Sequence, residues 1–149
     1  MIEAVALLRQ EDPTIRLVLT GGALDSLGPV PEWVDVRGLV PPEELRSLYR
    51  RARALVFPSL YEGFGLPPLE AMAAGCPVAA SRVASLPEIC GDAAELFDPK
   101  DPADIARAVT AASARTVELQ RRGFERLTAF SWERCAAAHE SAFRRAAGR

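Results

Sequence analysis

An open parallel α/β sheet with helices on its faces is the architecture this sequence predicts, and three observations predict it. The first is the stretch Ala54 to Ser81, ALVFPSLYEGFGLPPLEAMAAGCPVAAS, which holds an apolar run, a Gly/Pro-rich turn, a short helical segment, a glycine stop and a second apolar run. That order describes one βαβ unit with its loop exposed. The second is that other short apolar runs, Ile15 to Thr20, Val34 to Gly38 and Glu95 to Phe97, alternate with helical patterns. The third is size, since 149 residues of which 49% are apolar can bury a core and default to a single domain.

Met1 to Glu11 sets Ile2, Val5 and Leu8 on one helical face and is ended by Pro13. Ile15 to Thr20 reads as a strongly buried strand running into Gly21 and Gly22, Gly28 to Glu32 as a loop, and Val34 to Gly38 as a short strand. Pro41 and Pro42 open a helix with Leu45, Leu48, Tyr49 and Ala52 at helical spacing, which leaves Arg46, Arg50 and Arg53 as a solvated face. In the central unit, the apolar run Ala54 to Phe57 suits a strand covered on both faces, and Pro58, which cannot donate to a ladder, ends it. Leu66-Pro67-Pro68 starts a helix, because proline in the first turn loses no hydrogen bond; the helix runs through Glu70, Met72 and Ala73 and stops at Gly75, with Pro77 beyond.

Pro77 to Ala80 reads as another buried strand, and Leu86 to Gly91 as a short helix carrying Glu88, for which a capping or loop-pinning role is expected. Glu95 to Phe97 is the last strand. Asp101 and Pro102 cap and open a helix through Ile105 and Val109, the chain from Thr116 is helical and polar, and Ser131 caps a final helix. There Trp132, Cys135, His139 and Phe143 form one stripe, so His139, the only histidine, is expected to be packed. The basic tail from Arg144 to Arg149 is expected to fray.

The net charge of −2 argues against a nucleic-acid surface. No run approaches the ~20 apolar residues of a membrane span, and the amino terminus lacks the charged-then-apolar pattern of a signal peptide. Cys76, Cys90 and Cys135 have no metal-ligand spacing; an odd number of cysteines fits a reducing compartment, and all three read as small buried hydrophobes. A cytoplasmic protein is expected.

The central unit also carries the chemistry. Ligands of open parallel sheets sit beyond the carboxyl ends of the strands, and the loop from Pro58 to Pro67 leaves one such end. Gly63 and Gly65 permit the backbone to press against a ligand, and the amides around Gly65 to Leu69, at a helix amino terminus, suit a diphosphate. Glu62 and Glu70, with seven residues between them, flank that anion site and accept hydrogen bonds from sugar hydroxyls. A ligand with hydroxyls on both sides of a diphosphate is a nucleotide sugar. The plainer alternative makes Glu70 a carboxylate matched to its helix dipole and Glu62 a solvated loop residue.

The E-x7-E pair with GFGLP between and EAMAAGCPVAAS after it resembles the retaining glycosyltransferases of family 4, which have the GT-B fold. SLPEICGDAAELFDPKD, Ser85 to Asp101, extends the resemblance towards bacterial mannosyltransferase-like members, so that it spans about two thirds of the chain. It implies a Rossmann-like parallel sheet flanked by helices. It also implies that Glu62 contacts the donor sugar as the catalytic-site carboxylate, that Gly63, Phe64, Gly65 and Leu66 offer amides to sugar and diphosphate, and that Glu70 binds the ribose. Gly21, at a glycine-rich turn facing the ligand cleft, and Val40, near the nucleotide base, follow as secondary positions.

The resemblance covers only the carboxyl-terminal, donor-binding half of a GT-B enzyme. Residues 1–149 are therefore expected to be one domain of a longer chain, without the acceptor domain, the first strand of the sheet, or the loop that supplies an arginine and a lysine to the diphosphate. That strand lies mid-sheet, so the Ile15 and Ala54 strands are left as unpaired neighbours; the sheet must close up, borrow a strand or be marginal. The donor is a nucleotide-diphosphate sugar, with GDP-mannose favoured weakly. The acceptor is a saccharide or lipid-linked molecule bound through the absent domain, where peripheral membrane association would also arise. No cofactor and no metal are implied, and transfer by the isolated chain is expected to be weak or absent. Two other readings stay open: a GT-B nucleotide-sugar 2-epimerase, and a non-catalytic nucleotide-sugar binding module.

Overall fold

The computed structural model describes residues 1–22 and 27–148. Its elements run α1 (Ile2–Glu11), β1 (Leu17–Thr20), β2 (Val34–Gly38), α2 (Pro42–Arg51), β3 (Leu55–Phe57), α3 (Leu66–Ala73), β4 (Val78–Ser81), α4 (Leu86–Cys90), β5 (Ala94–Phe97), α5 (Pro102–Ala114), α6 (Thr116–Leu127) and α7 (Trp132–Ala146). All strand pairs are parallel, which requires helical crossovers and explains the alternation of elements.

The strands form two ladders, β1 with β2 and β3–β4–β5 in that order, and β1 does not pair with β3. Of the three possibilities open to the sheet, it has not closed up. The central strand β4 is buried throughout, and its period-2 alternation divides the core. Val78 and Ala80 join Tyr49, Leu69, Met72, Cys76, Ile89 and Cys90 on the face covered by α2, α3 and α4. Ala79 joins Ala4, Phe97, Ile105, Ala108 and Leu119 in a second cluster, with α1, α5 and the start of α6. Burying Phe97 completely is worth roughly 2–3 kcal/mol by itself.

Several helix boundaries follow from local chemistry. Asp101 accepts from the Ala103 amide at the start of α5, Ser131 accepts from the Arg134 amide at the start of α7, and Pro42 sits in the first turn of α2. Arg46, Arg50 and Arg53 are exposed, as a solvated face should be, and Arg53 pairs with Asp12 at 2.8 Å.

Four expectations about burial require correction. β1 is not strongly buried: it alternates half-buried and exposed residues, with Val18 40% accessible. β3 is half-buried throughout rather than covered on both faces, and it stands at the edge of its ladder with β4 on one side only. α7 has no buried residue, so His139 is exposed instead of packed, and its Nδ1 lies 2.8 Å from the Cys135 carbonyl oxygen one turn earlier. Cys135 is exposed too, whereas Cys76 and Cys90 are buried. An amphipathic stripe marks an apolar helix side but does not establish that anything lies against it. The expected fraying does not begin at Arg144, which remains helical and bonds Glu140 at 2.7 Å; Arg149 lies outside the described residues.

Candidate functional site

The carboxyl end of β3 is tied to the carboxyl end of β4, where the buried Ser81 donates from Oγ to the Phe57 carbonyl at 3.2 Å. The chain leaves this fixed point through Pro58 into the loop carrying Glu62 and the two glycines. Ser59 Oγ donates to Glu62 Oε1 at 2.6 Å, which holds the half-buried carboxylate within the loop.

Gly65 is the N-cap of α3 in the left-handed region, φ +106° and ψ 56°. A Cβ there would lie 2.6 Å from Leu86 Cδ2, so both backbone angle and space require glycine. Among the described residues, the amides of Gly63, Phe64, Gly65 and Leu66 donate to no protein acceptor. Gly63, Phe64 and Leu66 are exposed, and Gly65 is buried. Pro67 and Pro68 carry no N–H, so the available donors end at Leu66, the first residue of α3, rather than continuing through its first turn to Leu69.

Three contacts press this loop onto the domain, and none is evident from sequence spacing. Ser85 Oγ lies 2.7 Å from the Phe64 carbonyl oxygen and 3.2 Å from that of Glu62. Leu86 packs against Gly65. Phe64 meets Phe130 in an edge-to-face arrangement, with centroids 5.9 Å apart, and the Arg126 guanidinium lies over the Phe130 ring, 4.9 Å from its centre. Arg126 also donates to the Ile89 carbonyl at 2.9 Å and to that of Glu88. The loop-pinning expected of Glu88 therefore falls to Ser85: the Glu88 side chain is exposed and has no hydrogen-bond partner among the described residues. The turn leading to Ser85 is unusually tight, with Ala84 at φ +49°.

Glu70 is exposed on α3, beside Tyr49 of α2. Burial pushes the Tyr49 hydroxyl up to about 12, assisted by the negative charge of Glu70. The other two sequence-derived positions belong to the β1–β2 ladder. Gly21 follows β1 at φ +128° and donates its N–H to the Gly38 carbonyl at 2.8 Å; Val40 is half-buried between β2 and α2, next to the 84% exposed Leu39. Both lie after the carboxyl ends of parallel strands, but no hydrogen bond among the described residues joins them to the Glu62–Glu70 segment. The glycine loop is an open ledge. The clefts along α7, at Glu140, Ser141 and Arg144, and between α1 and α5, at Leu7, Leu8 and Ala106, lie elsewhere. Among the described residues, no group of three or more His, Cys, Asp or Glu side chains is placed to hold a metal, and no helix is long and apolar enough to cross a membrane.

Residues 1–114 match the family model described as Glycosyl transferases group 1. The chain is 47% identical over 107 residues to O-antigen chain mannosyltransferase B of Escherichia coli, covering 69% of this chain and 28% of that protein. It is 35% identical over its whole length to the MMP alpha-(1->4)-mannosyltransferase of Mycolicibacterium hassiacum, covering 40% of that protein. Among solved structures, sucrose-phosphate synthase from Thermosynechococcus elongatus superposes with a TM-score of 0.76 at 30% identity, over 99% of this chain and 42% of that one. The C-terminal domain of a glycosyl transferase group 1 family protein from Francisella tularensis gives 0.70 at 27% identity, over 86% and 75%. The chain thus spans less than half the length of these two curated relatives. With parallel strands, a glycine ledge at a strand's carboxyl end and a family match over most of its residues, the chain belongs to the group 1 glycosyltransferases and has the fold of their carboxyl-terminal domain.

Proposed function

We propose that this chain is the donor-binding domain of a longer retaining glycosyltransferase, and that its donor is a nucleoside-diphosphate sugar. The observation carrying the reading is the run of amides from Gly63 to Leu66 that meet no acceptor among the described residues, flanked by Glu62 and Glu70. Amides fixed before the substrate arrives stabilise negative charge without reorganising, and the charge that develops during glycosyl transfer is on the departing diphosphate. Glu62, steadied by Ser59, accepts hydrogen bonds from the sugar hydroxyls. Glu70 does so from the ribose, while Gly21 and Val40 contribute to the diphosphate and base sides. Mannose is the favoured sugar, on the names of the mannosyltransferase relatives, and GDP-mannose is the donor taken forward to test. Acceptor binding, the remaining basic contacts to the diphosphate and any peripheral attachment at the inner face of the membrane belong to the rest of the enzyme. No metal or cofactor has a part in this reading, which carries a cytoplasmic setting.

Calorimetric titration of the chain with GDP, UDP and ADP, repeated on Glu70→Ala, tests it. Preference for GDP, lost in the variant, is expected. A folded chain that binds none of the three overturns the reading for this domain. If the chain, combined with its acceptor domain, converts GDP-mannose to an epimer without acceptor, the activity is isomerisation rather than transfer.

A further inference from the structure

Ser85 is the N-cap of α4, yet its hydroxyl makes no capping bond to that helix. An N-cap serine ordinarily accepts from an amide in the first turn. Here Oγ instead reaches across 21 residues to the Phe64 carbonyl at 2.7 Å, with the Glu62 carbonyl at 3.2 Å sharing the same proton. A planar trans peptide directs its C=O and N–H to opposite sides. Turning the carbonyls of Glu62 and Phe64 towards Ser85 therefore turns the N–H groups of Gly63 and Gly65 away from it. Those are two of the unbonded amides of the ledge, and they sit in the two peptide units where glycine leaves the backbone freest to rotate.

We propose that Ser85 is a positioning residue for the donor diphosphate: by holding the Glu62–Gly63 and Phe64–Gly65 peptide units with carbonyls inward, it orients the amide of the exposed Gly63 and that of the buried Gly65 as a paired anion receptor. This deepens the donor-binding reading and rests on it. Ser85 touches no substrate. Its effect is confined to the phosphate end of the ligand, because the base and ribose contacts come from other segments.

The test titrates the 149-residue chain and its Ser85→Ala and Ser85→Thr variants with inorganic diphosphate, GDP and guanosine, alongside their thermal melts. Ser85→Ala is expected to weaken diphosphate and GDP about tenfold while leaving guanosine unchanged, and Ser85→Thr, which keeps the hydroxyl, to restore both. Equal affinity for GDP and diphosphate in Ser85→Ala and the parent chain overturns the proposal and leaves the donor reading standing. So does a loss of guanosine as large as the loss of diphosphate, since that reports a general structural role. A parent chain that is folded but binds neither GDP nor diphosphate overturns both. If Ser85→Ala does not fold, Ser85→Cys, of similar volume but with a weak donor, takes its place under the same outcomes.

Discussion

Gly65 carries the strictest local demand in the site. Its φ of +106° excludes a comfortable side chain, and the Cβ of an alanine would stand 2.6 Å from Leu86 Cδ2. Gly65→Ala is expected to cost about 2–3 kcal/mol in urea melts, combining backbone strain with overpacking. Adding Leu86→Ala removes the clash but not the strain, so the double variant is expected to recover at least ~1 kcal/mol relative to additivity. Strict additivity of the two substitutions would mean that Leu86 does not press on Gly65. The demand for glycine at this turn was legible from the chain, because a loop between a strand and a helix compresses its turn chemistry into adjacent residues. Ser85, Leu86 and Phe130 were not legible as its supports. They approach from 20 or more residues away, and a serine before a proline-containing turn has the same local pattern whether it caps its own helix or reaches elsewhere. The residue-level error over Glu88 has the same origin: the Pro-Glu pair marks the helix start, while the pinning hydroxyl stands three positions earlier.

At the scale of elements, α3 and α6 set the height of the ledge. Gly123 lets α6 lie close to α3; a Cβ there would meet Met72 Cγ at 3.1 Å and Cβ at 3.2 Å. Gln120 Nε2 donates to the Gly75 carbonyl at 2.7 Å, tying the same helix to the end of α3. Gly123→Val is expected to destabilise the domain by about 1–3 kcal/mol by urea titration, since Met72 is buried and has little room to yield. Unchanged stability would show that the two helices separate freely. The same face contains two buried thiols. Burial raises Cys76 and Cys90 from the usual 9.0 to about 11, and Tyr49 from 10.0 to about 12. Below pH 9 these groups are neutral whether folded or unfolded, so their contribution is intact; above it the unfolded chain ionises first and stability falls as pH rises. The unfolding free energy from urea titrations is expected to decline between pH 9 and pH 11, by on the order of 1–2 kcal/mol per thiol, and the decline to be smaller in Cys76→Ala. An unfolding free energy unaffected by pH over that interval would place the thiols in contact with water. The element order was readable because helix caps and strand breakers act within a few residues. Burial was not, because the coverage of β1, β3 and α7 depends on neighbours that the periodicity of a segment does not record.

The whole molecule is a three-stranded parallel sheet with helices on both faces and a second, two-stranded ladder attached through other elements. β4 is buried along its length and bonded on both sides, whereas each strand of the β1–β2 pair has one partner and exposes a valine, Val18 at 40% and Val36 at 42%. The links between the ladders include α1, whose Ala4 packs in the core face shared with α5, α2, which follows β2 and buries Tyr49 against the three-stranded sheet, and the Arg53–Asp12 pair. Within the β1–β2 region, Arg9 of α1 bonds the Ile15 carbonyl and stands over the Trp33 ring at 5.2 Å. An exposed ion pair contributes little, so opening the small ladder loses mostly its own strand bonds and the packing of α1. Backbone amides of β1 and β2 are therefore expected to exchange with solvent at least ~10-fold faster than those of β4 and β5, through a partial opening that leaves the three-stranded sheet intact. Nucleoside diphosphate is expected to slow exchange at Gly63 to Leu66 and, if Gly21 and Val40 share the ligand, at the ends of β1 and β2 as well. Hydrogen exchange read residue by residue separates the cases. Equal protection in both ladders without ligand would mean that they unfold as one unit, and ligand protection confined to the glycine loop would remove Gly21 and Val40 from the site.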